Sequence, residues 1–168
     1  MAARYLDEFA RELEKIGERA FRRRHSVPVL IVSGRTAPVR MPRPAVLVET
    51  ARERPDAVRA LISRVFPLVK AAGGGGPIIV GRALATGVDV EIADPSISKR
   101  HCQFTPGGSG AEVGDCGSTN GTAVNGAAVR GLTAVRLCGG EILTLGRLEV
   151  TFETAAGFAE LVSGLGAK

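Results

Sequence analysis

Residues 115–126 read DCGSTNGTAVNG, and this stretch decides between two accounts of the chain. It holds two Asn-Gly pairs, at 120–121 and 125–126. Asn-Gly is the preferred pair for a tight β-hairpin turn, so both pairs predict turns between short strands. The first pair differs because Ser118 and Thr119 directly precede it and bring two hydroxyl groups to the turn. The stretch is therefore either two structural turns or one such turn beside a turn that binds something.

The sequence on either side of this stretch has the pattern of an antiparallel β-protein. From Pro77 to Glu153, strand-sized apolar runs are separated by turn residues at intervals of roughly 8–12 residues, as in sandwiches and barrels. The chain has 168 residues, of which 45% are hydrophobic, but six Phe, one Tyr and no Trp, which predicts a largely aliphatic core. Residues 155–168 are expected to form a short helix or a tail.

The N-terminal third has a different pattern. Residues 3–24 carry apolar side chains at alternating spacings of three and four, which predicts an amphipathic helix. This helix either packs on its own domain or serves as a short coiled-coil or partner helix. Strands are predicted at 27–32 and 45–49, and a helix at 55–66 that a proline would end. The run Gly73–Gly76 precedes a strand instead of following one, so we interpret it as a joint or turn and not a nucleotide-binding loop.

Charge is unevenly spread along the chain. Residues 1–72 hold 15 Lys and Arg against 8 Asp and Glu, whereas residues 73–168 hold 7 against 9. The basic N-terminal part is either a solvated surface or a surface for an acidic partner. Nucleic acid is disfavoured as a partner, because aromatic residues that could stack on bases are not interleaved with the basic ones.

No segment of the sequence suggests a membrane or a metal. Every apolar run is shorter than the roughly 18–20 residues that cross a bilayer. The N-terminus lacks the apolar stretch of a secretory signal, so we expect a cytoplasmic protein that does not bind a membrane. The cysteines Cys102, Cys116 and Cys138 are odd in number and form no CxxC motif. We therefore expect reduced thiols, no disulfide framework and no zinc site, and we predict no cofactor.

Within the β-rich part, polar side chains collect at three turns. Arg82 follows a strand through Gly81, residues 98–101 (SKRH) precede another strand, and residues 118–120 (STN) occupy the turn already described. Loops at one end of a sandwich cluster together. A guanidinium, an ammonium, hydroxyls and backbone N–H groups then form a suitable set for a phosphate. An Asn amide can in addition pair with a peptide backbone.

These blocks resemble a forkhead-associated (FHA) domain. The resemblance rests on Gly81-Arg82, on SKRH at 98–101, on GSTNGT at 117–122 with VNG at 124–126, and on GGEILTLG at 139–146. All four occur in the family's order, and the resemblance covers roughly residues 64–154. It implies a mainly β fold, an FHA-like antiparallel β-sandwich of about eleven strands. We accordingly divide the chain into an α-helical and mixed N-terminal extension at 1–63, the sandwich at 64–154, and a C-terminal tail or short helix at 155–168.

The resemblance also implies a function, the non-catalytic recognition of phosphothreonine peptides in protein–protein signalling. Arg82 would contact the phosphate, Ser98 would donate its hydroxyl to it, and Lys99 occupies a neighbouring contact position. Thr119 would contact the phosphate or line the pocket for the threonine methyl, and Asn120 would bond the peptide backbone. The supporting positions are Gly81, Arg100, His101, Ser118 and Gly121. The implied partner is a phosphothreonine-containing protein in a Ser/Thr kinase circuit.

The chain departs from a plain FHA pattern at one turn and in its N-terminal third, of which the first 50 residues have no counterpart in the family. The family usually has Gly-Asp where this chain has Gly140-Glu141. Val65–Val69 resembles a family strand, which conflicts with the end of the helix predicted at 55–66. Asn125, in the second Asn-Gly pair, is interpreted as a residue of a hairpin turn and little else.

Two other hypotheses stay open at this point. The chain could be an assembly protein, whose N-terminal helix dimerises or docks a partner while the β domain is structural. Homo-oligomerisation through this helix is then expected. A hydrolase built on Ser98 and His101 would need a third residue to orient the histidine, and the sequence offers no obvious one, so we predict no catalytic residues.

Overall fold

The structure of the protein is a computed structural model that describes residues 3–35, 63–71, 73–82, 87–131 and 133–165. The predicted strand at 45–49 and most of the predicted helix at 55–66 lie outside these residues.

The elements follow one another in two groups along the chain. The helices are α1 (Leu6–Ile16), α2 (Glu18–Arg24) and α3 (Ala155–Leu165). The strands are β1 (Arg4–Tyr5), β2 (Val29–Arg35), β3 (Arg64–Pro67), β4 (Ile78–Gly81), β5 (Val90–Glu91), β6 (Cys102–Gly107), β7 (Gly110–Asp115), β8 (Thr122–Val124), β9 (Ala127–Ala128), β10 (Val135–Leu137), β11 (Glu141–Leu145) and β12 (Leu148–Glu153).

The strands form two sheets that pack face to face. One has seven strands in the order β1-β3-β2-β12-β11-β8-β9, and the other has five in the order β10-β7-β6-β4-β5. All neighbours are antiparallel except β4 and β5, which run parallel. Residues 29–35, N-terminal to the predicted boundary at 63, contribute β2 to the middle of the larger sheet, where it pairs with both β3 and β12.

The main core lies between the two sheets. Alternate residues of each strand point into it, and Leu148, Val150 and Phe152 of β12 are fully buried there. Phe152 stacks on Phe104 of the opposite sheet, with ring centroids 6.3 Å apart and an interplanar angle of 7°. The remaining core positions are mostly Val, Leu and Ile, as the composition indicated.

A second core lies under the three helices, on the outer face of the larger sheet. Phe9 of α1, Phe21 of α2 and Phe158 of α3 are buried against the outward residues of β2 and β3. Strand β2 is therefore covered on both faces, which explains why its first four residues form an unbroken apolar run. The apolar stripe of the N-terminal helix is used inside the chain, against α3 and this sheet.

The predicted fold class, a mainly β sandwich with an N-terminal helical extension, is confirmed. The single helix predicted at 3–24 is wrong in one respect, because it breaks at Gly17 into α1 and α2. Arg64–Pro67 is a strand, so the end of the helix predicted at 55–66 is also wrong. Residues 155–165 form a helix. No helix in the described part of the chain combines the length and the apolar composition that crossing a membrane requires.

Candidate functional site

Three turns meet at the end of the sandwich where β4 ends and β6 begins. Arg82 is the first residue after β4, and its backbone N–H donates to the Ser98 carbonyl at 3.0 Å. The Ser98 hydroxyl oxygen accepts the backbone N–H of Thr119 at 3.0 Å and lies 3.4 Å from the Thr119 hydroxyl. The residues predicted for phosphate contact therefore come from distant parts of the sequence and lie side by side.

Gly81 allows two of these turns to approach each other. A Cβ at this position would overlap the backbone carbonyl of Lys99 and would lie 3.0 Å from the Val88 side chain. Glycine is the residue that permits such a close approach of two backbones. This contact sets the SKRH turn directly against the end of β4, next to Arg82.

His101 fixes two of the turns from below. Its ring is fully buried, its Nδ1 accepts the Ser98 backbone N–H at 3.1 Å, and its Nε2 lies 3.1 Å from the Gly121 carbonyl. Since Nδ1 accepts, the proton belongs on Nε2, which donates to Gly121. Burial lowers the pKa of His101, although the Gly121 carbonyl and the Asp115 carboxylate oppose that shift. The neutral histidine therefore links the Ser98 turn to the Gly121 turn through two hydrogen bonds.

Asp115 organises the turn that contains Ser118. Its carboxylate accepts the backbone N–H groups of Gly117 and Ser118 at 2.8 and 2.9 Å, the Ser118 hydroxyl at 2.6 Å and the Thr122 hydroxyl at 2.7 Å. Burial by itself would raise the pKa of Asp115, but the hydrogen bonds from Ser118, Thr122 and the Gly117 backbone outweigh it and hold the pKa below its ordinary value. The Ser118 hydroxyl is thus committed to holding the turn.

Asn120 ties the same turn to the loop before β6. Its Nδ2 donates to the Ser96 carbonyl at 2.9 Å. Ser96 is in turn held by Asp94, which accepts both its backbone N–H and its hydroxyl and also contacts Arg35 at 3.1 Å. The backbone N–H of Arg147, in the turn between β11 and β12, donates to the Ser96 hydroxyl oxygen at 3.0 Å.

The second Asn-Gly pair is placed differently. Asn125 and Gly126 have φ values of 48° and 80° and form the two-residue turn between β8 and β9. The Asn125 side chain does more than shape that turn, because its Oδ1 accepts the Ile142 backbone N–H at 2.9 Å. Its own N–H donates to the Ile142 carbonyl at 2.7 Å. The pair therefore attaches the hairpin to β11.

The surface that results is positively charged. The side chains of Arg82, Lys99 and Arg100 are exposed, and none of the three has an ion pair with any residue that the structure describes. The Ser98 hydroxyl, which donates to the Thr119 hydroxyl at 3.4 Å, and the exposed Thr119 side chain belong to the same group of turns. Guanidinium, ammonium and hydroxyl donors around one point form a set that suits a doubly charged anion such as a phosphate.

Sequence reasoning missed the residues that support this surface. The sequence analysis gave no role to Asp94, Ser96, Asp115 or Arg147. One signal was available, because an Asp two or three residues before Gly-Ser is the usual pattern of a side chain that accepts the following backbone N–H groups. The links of Ser96 to Asn120 and Arg147 could not be found locally, because these partners are 24 and 51 residues away.

The arrangement weighs against a hydrolase at Ser98 and His101. Both ring nitrogens of the histidine are engaged with backbone groups, so neither faces the serine hydroxyl as a base. Cys102 is buried, which raises the pKa of its thiol, while Cys116 is half-buried and Cys138 is exposed, and all three are free thiols. Among the described residues, no group of His, Cys, Asp and Glu side chains could hold a metal ion.

The family comparison agrees with this geometry. Residues 78–146 match the FHA domain family, from the first residue of β4 to the turn after β11. This range contains every residue that we predicted for the site. The chain therefore carries an FHA domain over these residues. No curated protein matches the chain.

Solved structures of FHA domains are similar to the chain. The FHA domain of the CT664 protein from Chlamydia trachomatis is 20% identical, with 75% of this chain and 95% of that chain covered and a TM-score of 0.50. An FHA domain of a hypothetical protein from Arabidopsis thaliana is 30% identical, over 48% of this chain and 68% of that chain, with a TM-score of 0.43. The MEK1 FHA domain, solved with a HOP1 phosphothreonine peptide, is 26% identical, over 54% and 87%, with a TM-score of 0.43.

Proposed function

We propose that the turns around Arg82, Ser98 and Thr119 bind a phosphothreonine peptide, and that the chain is a non-catalytic recognition module in protein–protein signalling. The observation that carries the proposal is the contact between the Ser98 hydroxyl and the Thr119 backbone, with Arg82 held against the Ser98 carbonyl. It joins, at one point, residues of three separate turns that the family places around a phosphate.

Each residue has a defined part in the proposed mechanism. The Arg82 backbone is fixed while its guanidinium is exposed, so the guanidinium can bind the phosphate without losing a bond inside the protein. The Ser98 hydroxyl oxygen accepts from the Thr119 backbone N–H, and its proton, which is directed at the Thr119 hydroxyl oxygen over a long 3.4 Å, would turn to a phosphate oxygen on binding. Lys99 adds charge at the next position. The three turns of the site are held in place by their own hydrogen bonds, so the protein loses little conformational entropy when the peptide binds.

Asn120 has a part that combines support and recognition. Its Nδ2 is used in the bond to the Ser96 carbonyl. Its Oδ1 makes no hydrogen bond with the described residues and is the atom that would accept an N–H of the bound peptide. Thr119 would cover the methyl group of the phosphothreonine. One methyl contributes about 1 kcal/mol, so phosphothreonine should bind roughly fivefold more tightly than phosphoserine.

The proposal is tested by titrating the full chain with a phosphothreonine peptide library in calorimetry or fluorescence anisotropy. The best phosphopeptide should bind at least tenfold more tightly than its unphosphorylated form. The Arg82→Ala variant should lose about 2–5 kcal/mol of binding free energy. It should remain folded, because the structural contact of Arg82 uses its backbone N–H, which alanine keeps.

Arg136→Ala is the matched control for this variant. Arg136 is exposed on β10, and its guanidinium lies near Gly108 in the turn between β6 and β7, at the opposite end of β6 from the site. The control removes the same charge and should leave phosphopeptide binding unchanged. If no phosphopeptide is preferred over its unphosphorylated form, or if both variants weaken binding equally, the proposed function is wrong.

The two Asn-Gly pairs provide an independent comparison. Asn120→Ala should weaken phosphopeptide binding by about tenfold, the loss of roughly one hydrogen bond to a neutral group. Asn125→Gly tolerates the positive φ of that position and should leave binding unchanged while lowering stability, because the Ile142 backbone N–H loses its acceptor. The free energy of unfolding, measured on both variants, shows whether weaker binding comes from a lost contact with the peptide or from a less stable fold.

The proposed ligand indicates the kind of enzyme that acts before this protein. A phosphothreonine on a partner protein must be made by a Ser/Thr kinase, so we place the chain downstream of such a kinase, in the cytoplasm. Coexpression with a candidate kinase, followed by binding of the phosphorylated partner, is the direct measurement.

A further inference from the structure

The bend between α1 and α2 forms a groove on the surface of the helical layer, apart from the proposed phosphothreonine site. Its volume is about 570 Å³, and it is lined by Ile16, Gly17, Glu18, Arg19, Ala20 and Arg23. Gly17 creates the bend, since its φ of 78° is in the left-handed region that favours glycine. The bend leaves the end of α1 and the first turns of α2 facing one opening.

Two arginines beside this groove have no acidic partner. Arg4, Arg11, Arg22 and Arg24, the other arginines of these elements, are each ion-paired to a carboxylate of the same segment. Arg19 and Arg23 are exposed and form no ion pair with any residue in the described part of the chain. Glu18, the one carboxylate in the lining, is occupied by Arg22 at 2.8 Å.

The spacing of Arg19 and Arg23 is unfavourable for an isolated helix. They lie four residues apart, so their side chains emerge on the same side of α2, and a like-charge pair at this spacing destabilises a helix. An anionic ligand between them removes that repulsion.

The floor of the groove is apolar. Ile16 and Ala20 line it and are half-buried. They lie next to the two arginines, so one ligand can cover the apolar floor and reach both charges. A ligand with that chemistry has carboxylates on either side of an aliphatic side chain.

We propose that this groove docks an acidic segment of a partner protein, in which two carboxylates about one helical turn apart flank an apolar side chain. The carboxylates pair with Arg19 and Arg23, and the apolar side chain covers Ile16 and Ala20. Arg19 and Arg23, which form no ion pair with the described residues, are complementary in charge to an acidic occupant.

A membrane or a nucleic acid fits the same surface less well. The apolar face of α1 is packed on α3 and the sheet, so it is not available for insertion among lipids. Phe9 and Phe21, the phenylalanines of these two helices, are buried and cannot stack on bases. Two guanidiniums around an apolar floor match a short peptide better than an extended polyanion.

The test uses the full chain and an array of labelled peptides. Each peptide carries two Asp or Glu residues placed two, three or four positions apart around a Leu. Peptides with Lys in place of the acidic residues serve as the non-binding controls. Binding is read by fluorescence anisotropy at low and at physiological salt. The acidic peptides should bind and the Lys peptides should not, and affinity should fall as salt rises.

Three variants decide the result. The double variant Arg19→Ala with Arg23→Ala should weaken peptide binding by about tenfold or more, the usual size of two partly exposed ion pairs. Arg11→Ala removes the same charge from α1, outside the groove lining, and should change affinity less than about twofold. Arg82→Ala should leave it unchanged, because this surface is independent of the phosphothreonine site. The proposal is overturned if no acidic peptide binds, if the double variant binds as wild type does, or if phosphatidylserine vesicles or duplex DNA bind more tightly than every peptide.

Discussion

Replacing Asp115 with alanine should destabilise the fold although Asp115 touches no proposed ligand. The carboxylate accepts four hydrogen bonds of 2.6–2.9 Å from residues 117, 118 and 122. The Thr122 hydroxyl is fully buried and would lose its partner with no access to water, which costs about 2 kcal/mol. The Ser118 hydroxyl and the backbone groups are partly exposed, and together they add about 1 kcal/mol after water replaces the carboxylate.

The expected loss in Asp115→Ala is therefore about 3 kcal/mol, or about 6–12 °C in Tm for a chain of this length. The chain has no Trp, so far-UV circular dichroism during urea and thermal unfolding is the suitable measurement. Glu112→Ala is the matched control, because Glu112 lies on the same strand, is exposed, and carries the same charge. It should change the free energy of unfolding by no more than about 0.5 kcal/mol.

The pH dependence gives a second test of the same reasoning. The folded pKa of Asp115 is held below its ordinary value of 3.8, so the unfolded chain takes up a proton more readily than the folded one in acid. The stability that the carboxylate contributes is complete above pH 3.8 and is lost as pH falls through the folded pKa. The difference in the free energy of unfolding between wild type and Asp115→Ala should be constant from pH 8 to about 5 and should become smaller at lower pH. A gap below 1 kcal/mol at pH 7, or one that stays unchanged in acid, would refute the reasoning.

Three further predictions concern the site and the helical layer. Gly81→Ala should lose about 1–3 kcal/mol in urea unfolding, because its Cβ would overlap the Lys99 carbonyl; wild-type stability would contradict the close approach. His101 should remain neutral at pH 6.5 by NMR, and the free energy of unfolding should fall as pH drops below about 6.5, because the unfolded chain binds a proton that the buried ring does not. A ring that is half-protonated at pH 6.5 would contradict the two hydrogen bonds by which neutral His101 links the Ser98 and Gly121 turns. Phe158→Ala should lose about 3–5 kcal/mol, whereas Leu165→Ala, at an exposed position of the same helix, should lose less than 1; equal losses would mean that α3 does not pack as described.

Much of the sandwich could be predicted from local patterns. Strands β4, β6, β11 and β12 were predicted because short apolar runs are separated by turn residues, and such a run is a property of each short segment alone. The three polar turns were found for the same reason, since turn chemistry depends on neighbouring residues. We expected the three turns to meet because loops at one end of a sandwich cluster together, and this expectation needed no knowledge of which strands pair.

The helical layer was predicted less completely. The apolar stripe of the N-terminal helix was visible in the sequence, but what it packs against was not. Phe9 lies 5.1 Å from Phe158 between ring centroids, at a separation of 149 positions along the chain. Contacts at that separation leave no periodic trace in either segment. The break at Gly17 was missed because the spacing of apolar residues continues across it, and glycine within a helical pattern is a weak signal.

The sequence by itself determined the class of fold, the positions of the turns and the kinds of side chain that they carry, because all three depend on residues close together along the chain. Tertiary structure alone decided how those side chains are held. It placed Asn120 on the Ser96 carbonyl, the His101 ring between the Ser98 and Gly121 turns, and β2 between β3 and β12. These arrangements come from the pairing of distant strands, whose hydrogen bonds join backbone groups and so leave almost no mark on the choice of residue.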